Sequence, residues 1–243
     1  MNPLSTLLLA VALLVIANST GQAQKRNTPP QTSTAKATTA KAASTAKPSA
    51  ASIVSPVLTT LSTYEKQLLE EINYARANPH EYVKALELFR RNFRGKEIHY
   101  PEGGVLVTNE GVAALDDAIL FLRRQTPLPP LEVRSGMIKA AKVHVTDLVT
   151  TGRSGHRGTD GSQPGERLDR FGRWEDSYGE NIVYESRTPR YDVIGMIIDD
   201  GTASRGHREN LFSDFRVIGI ATGKRATGAT LGVMTFAVGY KDK

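Results

Sequence analysis

Histidine and acidic residues recur beside glycine in the second half of the chain, a combination with clear chemical uses. His156 lies in the segment SGHRGTDG, Glu180 in YGENI, and His207 in SRGHREN, which follows the acidic pair Asp199–Asp200. Neighbouring glycines give the backbone conformations that let such side chains stand clear of the chain. Imidazole and carboxylate groups bind divalent metal ions and act as general acids and bases. The sequence therefore predicts a polar cleft in which these side chains meet.

The acidic pair and a third histidine extend this prediction. Asp199 and Asp200 close a predicted helix, where negative charge opposes the helix dipole, so we expect them to face a cation or an imidazolium. His144 lies seven residues after Met137 and four before Leu148, on the apolar face of its own predicted helix. Two interpretations stay open for His144: a hydrogen-bonded core residue, or a residue that lines the cleft.

Several short segments occur in the order that is typical of one protein family. Residues 63–240 resemble the CAP superfamily, which includes cysteine-rich secretory proteins, antigen 5 and plant pathogenesis-related proteins. The resemblance implies an α+β fold, an α-β-α sandwich with a central antiparallel sheet. The segments that carry it are EEINYAR (70–76), AAKVH (140–144), GH (155–156), GENI (179–182) and GHRENL (206–211).

The resemblance also implies a cleft that presents two histidines and two acids. His156 and His207 match the two histidines, and Glu180 matches the first acid. Asp199 matches the second acid best, with Asp200 as the near alternative. The family usually has Glu at this position, so the carboxylate of this chain has a reach that is one methylene shorter.

Three functions are compatible with such a cleft. His156 and His207 could bind a divalent metal, with Zn²⁺ the default, in a module that takes a small ligand or a lipid. A metal-assisted, peptidase-like hydrolase would use Glu180 and His207 as catalytic residues. The chain has neither an HExxH nor a GxSxG motif, and a triad from Ser154 or Ser204 is a minor alternative. In the third, the protein is a non-catalytic interaction module that binds an envelope component.

The N-terminus has the pattern of an export signal. The stretch from Leu4 to Ala17 is almost wholly apolar, and small residues precede the boundary after Ala23. As a helix it would rise only about 21 Å, short of the ~30 Å core of a bilayer. We predict that residues 1–23 are a cleaved signal peptide, with an uncleaved anchor as the alternative, and that the mature chain has no transmembrane span. Export without any cysteine favours a secreted, periplasmic or cell-envelope location in a bacterium.

Composition divides the rest of the chain into a linker and a domain. Residues 24–57 are rich in Ala, Thr, Ser, Lys and Pro, which predicts a disordered linker before a domain at 58–243. Five of the 31 basic residues of the chain lie in that linker, which leaves 26 basic against 25 acidic residues. The domain is therefore near neutral, which argues against nucleic acid as a partner.

Hydrophobic periodicity and capping signals predict the elements that must position the cleft. A capping box at Ser62 opens the first helix. Residues 96–108 are expected to form a loop, and residues 96–124 (the insertion) have no counterpart in the family pattern. Further helices are predicted at 79–93, 112–124, 134–151, 164–171 and 189–200, and strands near 181–184, 217–221 and 231–238.

Overall fold

The computed structural model describes residues 24–25 and 56–243. The predicted signal peptide and most of the predicted linker lie outside these residues. Within them, no helix combines the length and apolar character that crossing a bilayer requires.

Helices and strands alternate irregularly along the domain, which confirms the α+β class. The seven helices of the described residues are α1 (Thr63–Ala77), α2 (Pro79–Phe89), α3 (Val112–Arg124), α4 (Ser135–Thr151), α5 (Pro164–Phe171), α6 (Pro189–Ile198) and α7 (Gly206–Phe212). The strands are β1 (Gln24–Lys25), β2 (Phe93–Arg94), β3 (Glu97–His99), β4 (Val105–Val107), β5 (Glu132–Val133), β6 (Gly172–Ser186), β7 (Val217–Lys224) and β8 (Thr230–Asp242). Short 3-10 helices lie at Pro56–Thr60 and Arg90–Asn92.

A central sheet with the strand order β1-β6-β8-β7-β5 separates two helical layers. Strands β6, β8 and β7 pair antiparallel, as predicted, whereas the short β5 pairs parallel with β7 at the edge. Successive side chains of β8 alternate between the layers, because neighbouring strand residues point to opposite faces. Val233 packs beneath α4, and Met234 joins the larger core with α1 and α6. The result is a three-layered α-β-α arrangement.

The first helix begins where its capping box predicts. Ser62 Oγ accepts the backbone N–H of Glu65, and the backbone N–H of Ser62 donates to Glu65 Oε2 at 2.8 Å. The other carboxylate oxygen of Glu65 accepts the backbone N–H of Thr222 at 2.8 Å. The cap therefore also joins α1 to β7.

The structure corrects two expectations about local structure. Residues 96–108 are not a plain loop, because β3 and β4 lie there and form a separate three-stranded sheet with β2, in the order β2-β3-β4. Strands of two or three residues are too short to show a period of two. Strand β6 runs over fifteen residues, whereas the sequence analysis predicts four. The predicted strand is too short because glycines and charged residues interrupt the hydrophobic alternation on which the prediction depends.

The structure also places part of the predicted linker against the domain. Gln24 and Lys25 pair antiparallel with Tyr178 and Ser177 of β6. Strand β6 would otherwise present the unpaired backbone groups of a sheet edge there, and pairing satisfies some of them.

One buried arginine joins α1 to the segment before β5, to the end of α7 and to the segment between α7 and β7. Arg76 donates to the carbonyl oxygens of Pro129 at 3.2 Å, Leu211 at 2.5 Å, Ser213 at 3.2 Å and Phe215 at 2.8 Å. Burial lowers the pKa of Arg76 to about 10, so the guanidinium stays charged at neutral pH. The side chain satisfies carbonyl groups that no helix or strand pairs.

Replacing Arg76 with methionine should therefore destabilise the domain. The Arg76→Met variant leaves buried carbonyls without donors, and we expect a loss of about 2 kcal/mol or more in urea unfolding. The matched Arg124→Met variant removes an exposed helical arginine and should change stability by less than about 0.5 kcal/mol. Equal losses in both variants would contradict this role of Arg76.

Candidate functional site

Strand β6 and the loop between α4 and α5 bring the first histidine and acid together. His156 Nδ1 lies 2.9 Å from Glu180 Oε1. Glu180 accepts from a charged arginine as well, so it is a carboxylate and Nδ1 must carry the proton of this bond. In the neutral ring, the other nitrogen, Nε2, then carries the lone pair. We call His156 and Glu180 the first pair.

Glu180 is held by a buried arginine that sequence reasoning missed. Arg167 of α5 donates from Nη2 to both carboxylate oxygens, at 3.0 and 2.8 Å, and to the carbonyl oxygen of His156 at 3.0 Å. Burial alone would raise the pKa of Glu180, but the hydrogen bond from His156 and the charge of Arg167 outweigh it and lower that pKa. Glu180 is therefore an ionised group at neutral pH although only 2% of it is exposed.

His144 lies behind the first pair and not in contact with solvent. It is fully buried, and its Nε2 donates to the carbonyl oxygen of Gly155 at 2.9 Å. Its Nδ1 is buried without a hydrogen-bond partner, and its ring stands 3.9 Å from Glu180. Burial lowers the pKa of His144, so the ring is neutral at pH 7. The geometry favours the core interpretation: His144 supports the loop that carries His156.

The second histidine and acid lie at the junction of α6 and α7. His207 Nδ1 is 2.7 Å from Asp199 Oδ1, and the backbone N–H of His207 donates to Asp199 Oδ2 at 2.8 Å. Asp199 caps α6 in a left-handed conformation, with φ of 50°, which turns its side chain back to the next helix. In this second pair, Nε2 again carries the lone pair of the neutral ring when Nδ1 donates to the acid. The shorter Asp side chain reaches its histidine.

Asp200, the near alternative for the second acid, points elsewhere. Its carboxylate accepts the backbone N–H groups of Asn109 at 2.6 Å and Glu110 at 2.8 Å, in the insertion. The structure does not bring Asp200 to His207.

Consecutive residues of β6 connect the two pairs. Glu180 belongs to the first pair, and the next residue, Asn181, donates from Nδ2 to the carbonyl oxygen of His207 at 3.0 Å. Asn210 of α7 donates to Asn181 Oδ1 at 2.8 Å. A Cβ at Gly179 would lie 2.5 Å from Asn210 Oδ1, so only glycine allows α7 to approach β6 this closely. The pairs therefore attach to one strand from its two faces, beside the edge that β1 leaves free.

The histidines reach solvent, whereas their acids do not. The side chains of His156 and His207 are 12% and 18% exposed, and those of Glu180 and Asp199 are 1% and 3% exposed. Each acid therefore lies behind its ring, where it orients the imidazole, and the rings form the accessible part of the site.

Other candidate groups are less well placed for chemistry. Ser204 Oγ is buried and has no hydrogen-bond partner, so no histidine activates it. Among residues 24–25 and 56–243, no group of three or more His, Asp or Glu side chains is arranged to hold a metal ion.

Sequence reasoning missed Arg167 because nothing in its pattern sets it apart. Arg170, three residues later in the same short helix, is 41% exposed and pairs with Asp160. Sequence reasoning also missed Tyr184, whose hydroxyl accepts the backbone N–H of Gly155 at 2.6 Å. The spacing of the sequence did contain a signal for this residue. Tyr184 stands four residues after Glu180 in a strand, and such spacing puts both side chains on one face.

Comparison with protein families agrees with this fold. Residues 69–240 match the family model described as the cysteine-rich secretory protein family, CAP. The chain therefore belongs to the CAP family, as its segments indicated. No curated protein matches the chain significantly.

Two solved bacterial structures are similar to parts of the chain. An outer surface protein from Borrelia burgdorferi is 19% identical, with a TM-score of 0.39 over 54% of this chain and 91% of that chain. An extracellular protein containing an SCP domain, from Bacillus anthracis str. Ames, is 22% identical, with a TM-score of 0.37 over 49% of this chain and 37% of that chain. These scores are low, and the family assignment rests on the family model.

Removing Arg167 should destabilise the domain strongly. In Arg167→Met, Glu180 is a buried charge without its cation, and we expect a loss of about 3–5 kcal/mol in chemical denaturation. Arg170→Met, in the same helix, should cost far less because that side chain is exposed. Adding Glu180→Gln to Arg167→Met should recover part of the loss, since it removes the stranded charge. A double variant as unstable as the sum of both single variants would contradict the pairing.

His144 should make the domain less stable in mild acid. The pKa of His144 in the folded protein lies below its ordinary value of 6.5, so the unfolded chain binds more protons at this residue. The contribution of the neutral ring to the free energy of unfolding is therefore complete above about pH 6.5 and falls as the pH drops. The charged or titratable groups that face the His144 ring are Glu180, His156 and Arg167. The pKa of Glu180 is lowered below its ordinary value of 4.5, so Glu180 stays ionised in this pH range. His144→Gln keeps a donor for Gly155 and should reduce the slope of unfolding free energy between about pH 6.5 and 5 by up to about 1.4 kcal/mol per pH unit. An unchanged slope would contradict a buried neutral His144.

Proposed function

We propose that this protein is an exported CAP-domain module whose cleft binds a divalent metal ion through Nε2 of His156 and Nε2 of His207. Zn²⁺ is the default ion for such ligands. The bound metal then holds a small ligand or a lipid headgroup through an oxygen atom. Export rests on the apolar N-terminal segment and the absence of cysteine in the sequence.

The observation that carries this proposal is that the two rings have the same hydrogen-bonding arrangement. Each histidine donates Nδ1–H to a buried acid, at 2.9 Å in the first pair and 2.7 Å in the second. Carboxylates that accept the second ring N–H are the usual neighbours of metal-binding histidines, because they fix the tautomer and raise the basicity of Nε2. Two such rings, one on the loop before α5 and one on α7, are a donor set that suits Zn²⁺.

The number of protein ligands favours an open site. Zn²⁺ prefers four ligands at about 2.0–2.2 Å for nitrogen and oxygen donors, so two histidines leave two positions. His156 and His207 fill half of the shell, and water or the ligand would fill the other half. Such a site binds more weakly than a structural zinc site, and its ligand chemistry is that of oxygen donors.

The environment of Glu180 argues against the hydrolase alternative. Both carboxylate oxygens accept from Arg167, one also accepts from His156, and the side chain is 1% exposed. A general base needs a free oxygen within hydrogen-bond reach of the substrate's proton. Glu180 therefore acts as the group that orients His156, and binding is the function that the geometry supports best.

Zinc titration of the metal-free protein tests the proposal. We expect His156→Ala and His207→Ala each to weaken zinc binding at least about tenfold, because each removes one of two ligands. His80→Ala removes an exposed histidine outside the site and should leave the affinity unchanged. Calorimetry or competition with a chromophoric chelator measures these affinities.

Two outcomes would count against this assignment. If wild-type protein binds zinc no more tightly than the variant that lacks both His156 and His207, the site is not a metal site. If only one of the two single variants loses affinity, the two pairs do not share an ion.

A further inference from the structure

The insertion lies against the loop that carries the second pair. The chain turns from β4 into α3 at residues 108–111, and this turn faces the His207 loop, which we define as residues 199–206. Gly201 of that loop has φ of 75°, which favours glycine, and a Cβ on it would meet the side chain of Asn109, so the two segments are in direct contact.

Acids of the two segments bind one another's backbone. Asp200 of the His207 loop accepts the N–H groups of Asn109 and Glu110, at 2.6 and 2.8 Å. In return, Glu110 Oε1 accepts the N–H of Gly201 at 2.7 Å. Three backbone N–H groups of these two irregular segments therefore donate to a carboxylate of the opposite segment. No helix or strand pairing supplies these hydrogen bonds.

An arginine completes the contact and links it to the second pair. Glu110 accepts from Nη1 and Nη2 of Arg205, each at 2.7 Å. Arg205 Nη1 also donates to the carbonyl oxygen of Asp199 at 2.7 Å. The hydrogen bond from Arg205 is the largest of the effects that lower the pKa of Glu110 to about 2, so Glu110 is charged at any physiological pH. One guanidinium thus connects the insertion to the backbone of the residue that orients His207.

The backbone of the His207 loop needs such support. Asp199 and Arg205 both adopt left-handed conformations, with φ of 50° and 51°. Residues with a Cβ hold this conformation only where their surroundings impose it. Asp199 orients the ring of His207, and Arg205 lies two residues before His207. Relaxation of either residue would therefore move that ring.

We propose that the insertion is a positioning device for His207, and that Glu110 is its main positioning residue. Glu110 holds Gly201 and Arg205, and through them it keeps Asp199 in the left-handed conformation that directs its carboxylate to His207 Nδ1. The inference rests on the proposed function for the use of His207 as a ligand, but the fixed ring is a property of the metal-free protein.

The test is the tautomer of His207 in metal-free protein, measured by long-range proton–nitrogen NMR at a pH where the rings are neutral. Wild-type protein should show His207 as a single Nδ1–H tautomer. In Glu110→Ala, His207 should show a mixture of tautomers or exchange broadening, while the signals of His156 stay unchanged. Glu110→Gln, which keeps an acceptor for Gly201, should shift His207 in the same direction by less, and serves if the alanine variant does not fold.

A matched control separates positioning from general destabilisation. Glu102→Ala removes another acid of the insertion, one that lies 3.5 Å from Arg187 and outside the contact with the His207 loop. It should leave both histidine signals unchanged. Zinc affinity should fall about tenfold or more in Glu110→Ala, the usual effect of losing a group that orients a ligand.

These readouts distinguish the inference from the proposed function. If wild-type protein binds no zinc but His207 loses its single tautomer in Glu110→Ala, the positioning role stands and the metal site falls. If His207 keeps a single Nδ1–H tautomer in Glu110→Ala, or if His156 changes equally, the positioning role of the insertion is wrong.

Discussion

The buried ion pair of Arg167 and Glu180 is the interaction on which the site depends. Transferring two charges from water is costly, and the hydrogen bonds that the two groups make to each other and to neighbouring backbone offset that cost. Arg167 donates to both oxygens of Glu180 and to the carbonyl oxygens of Ser162 and His156. The carboxylate charge that Arg167 holds inside the protein fixes the tautomer of the neutral His156 ring, so Nε2 at the outer edge of the ring offers its lone pair to solvent.

The two halves of the site solve the same problem by different means. In the first pair, a buried arginine from α5 holds the acid. In the second pair, Asp199 is held by the backbone conformation of its own loop and by the N–H groups of His207, and Arg205 connects that loop to the insertion. Strand β6 joins both halves, because Glu180 and its neighbour Asn181 face opposite helical layers. A change in either layer can therefore reach one ring without disturbing the other.

Much of the fold could be predicted from the sequence, and the reasons for the failures are physical. The helix start at Ser62 and the helix at Pro164–Phe171 follow from local signals that need no tertiary contact. Strands β3 and β4 are too short for periodicity, and β6 is interrupted by charged residues whose burial depends on distant partners. Motif order predicted which histidines and acids to examine. It gave no sign of Arg167, because burial of an arginine is decided by the far side of the core.

A crystal structure of the protein with zinc, phased to locate the metal by anomalous scattering, tests the central claim most directly. The account predicts one zinc peak within bonding distance of Nε2 on both residue 156 and residue 207, with each Nδ1 still directed at its carboxylate. A peak bound through either Nδ1, or separate peaks on the two imidazoles, would contradict it, since the acids would then not be what prepares the rings.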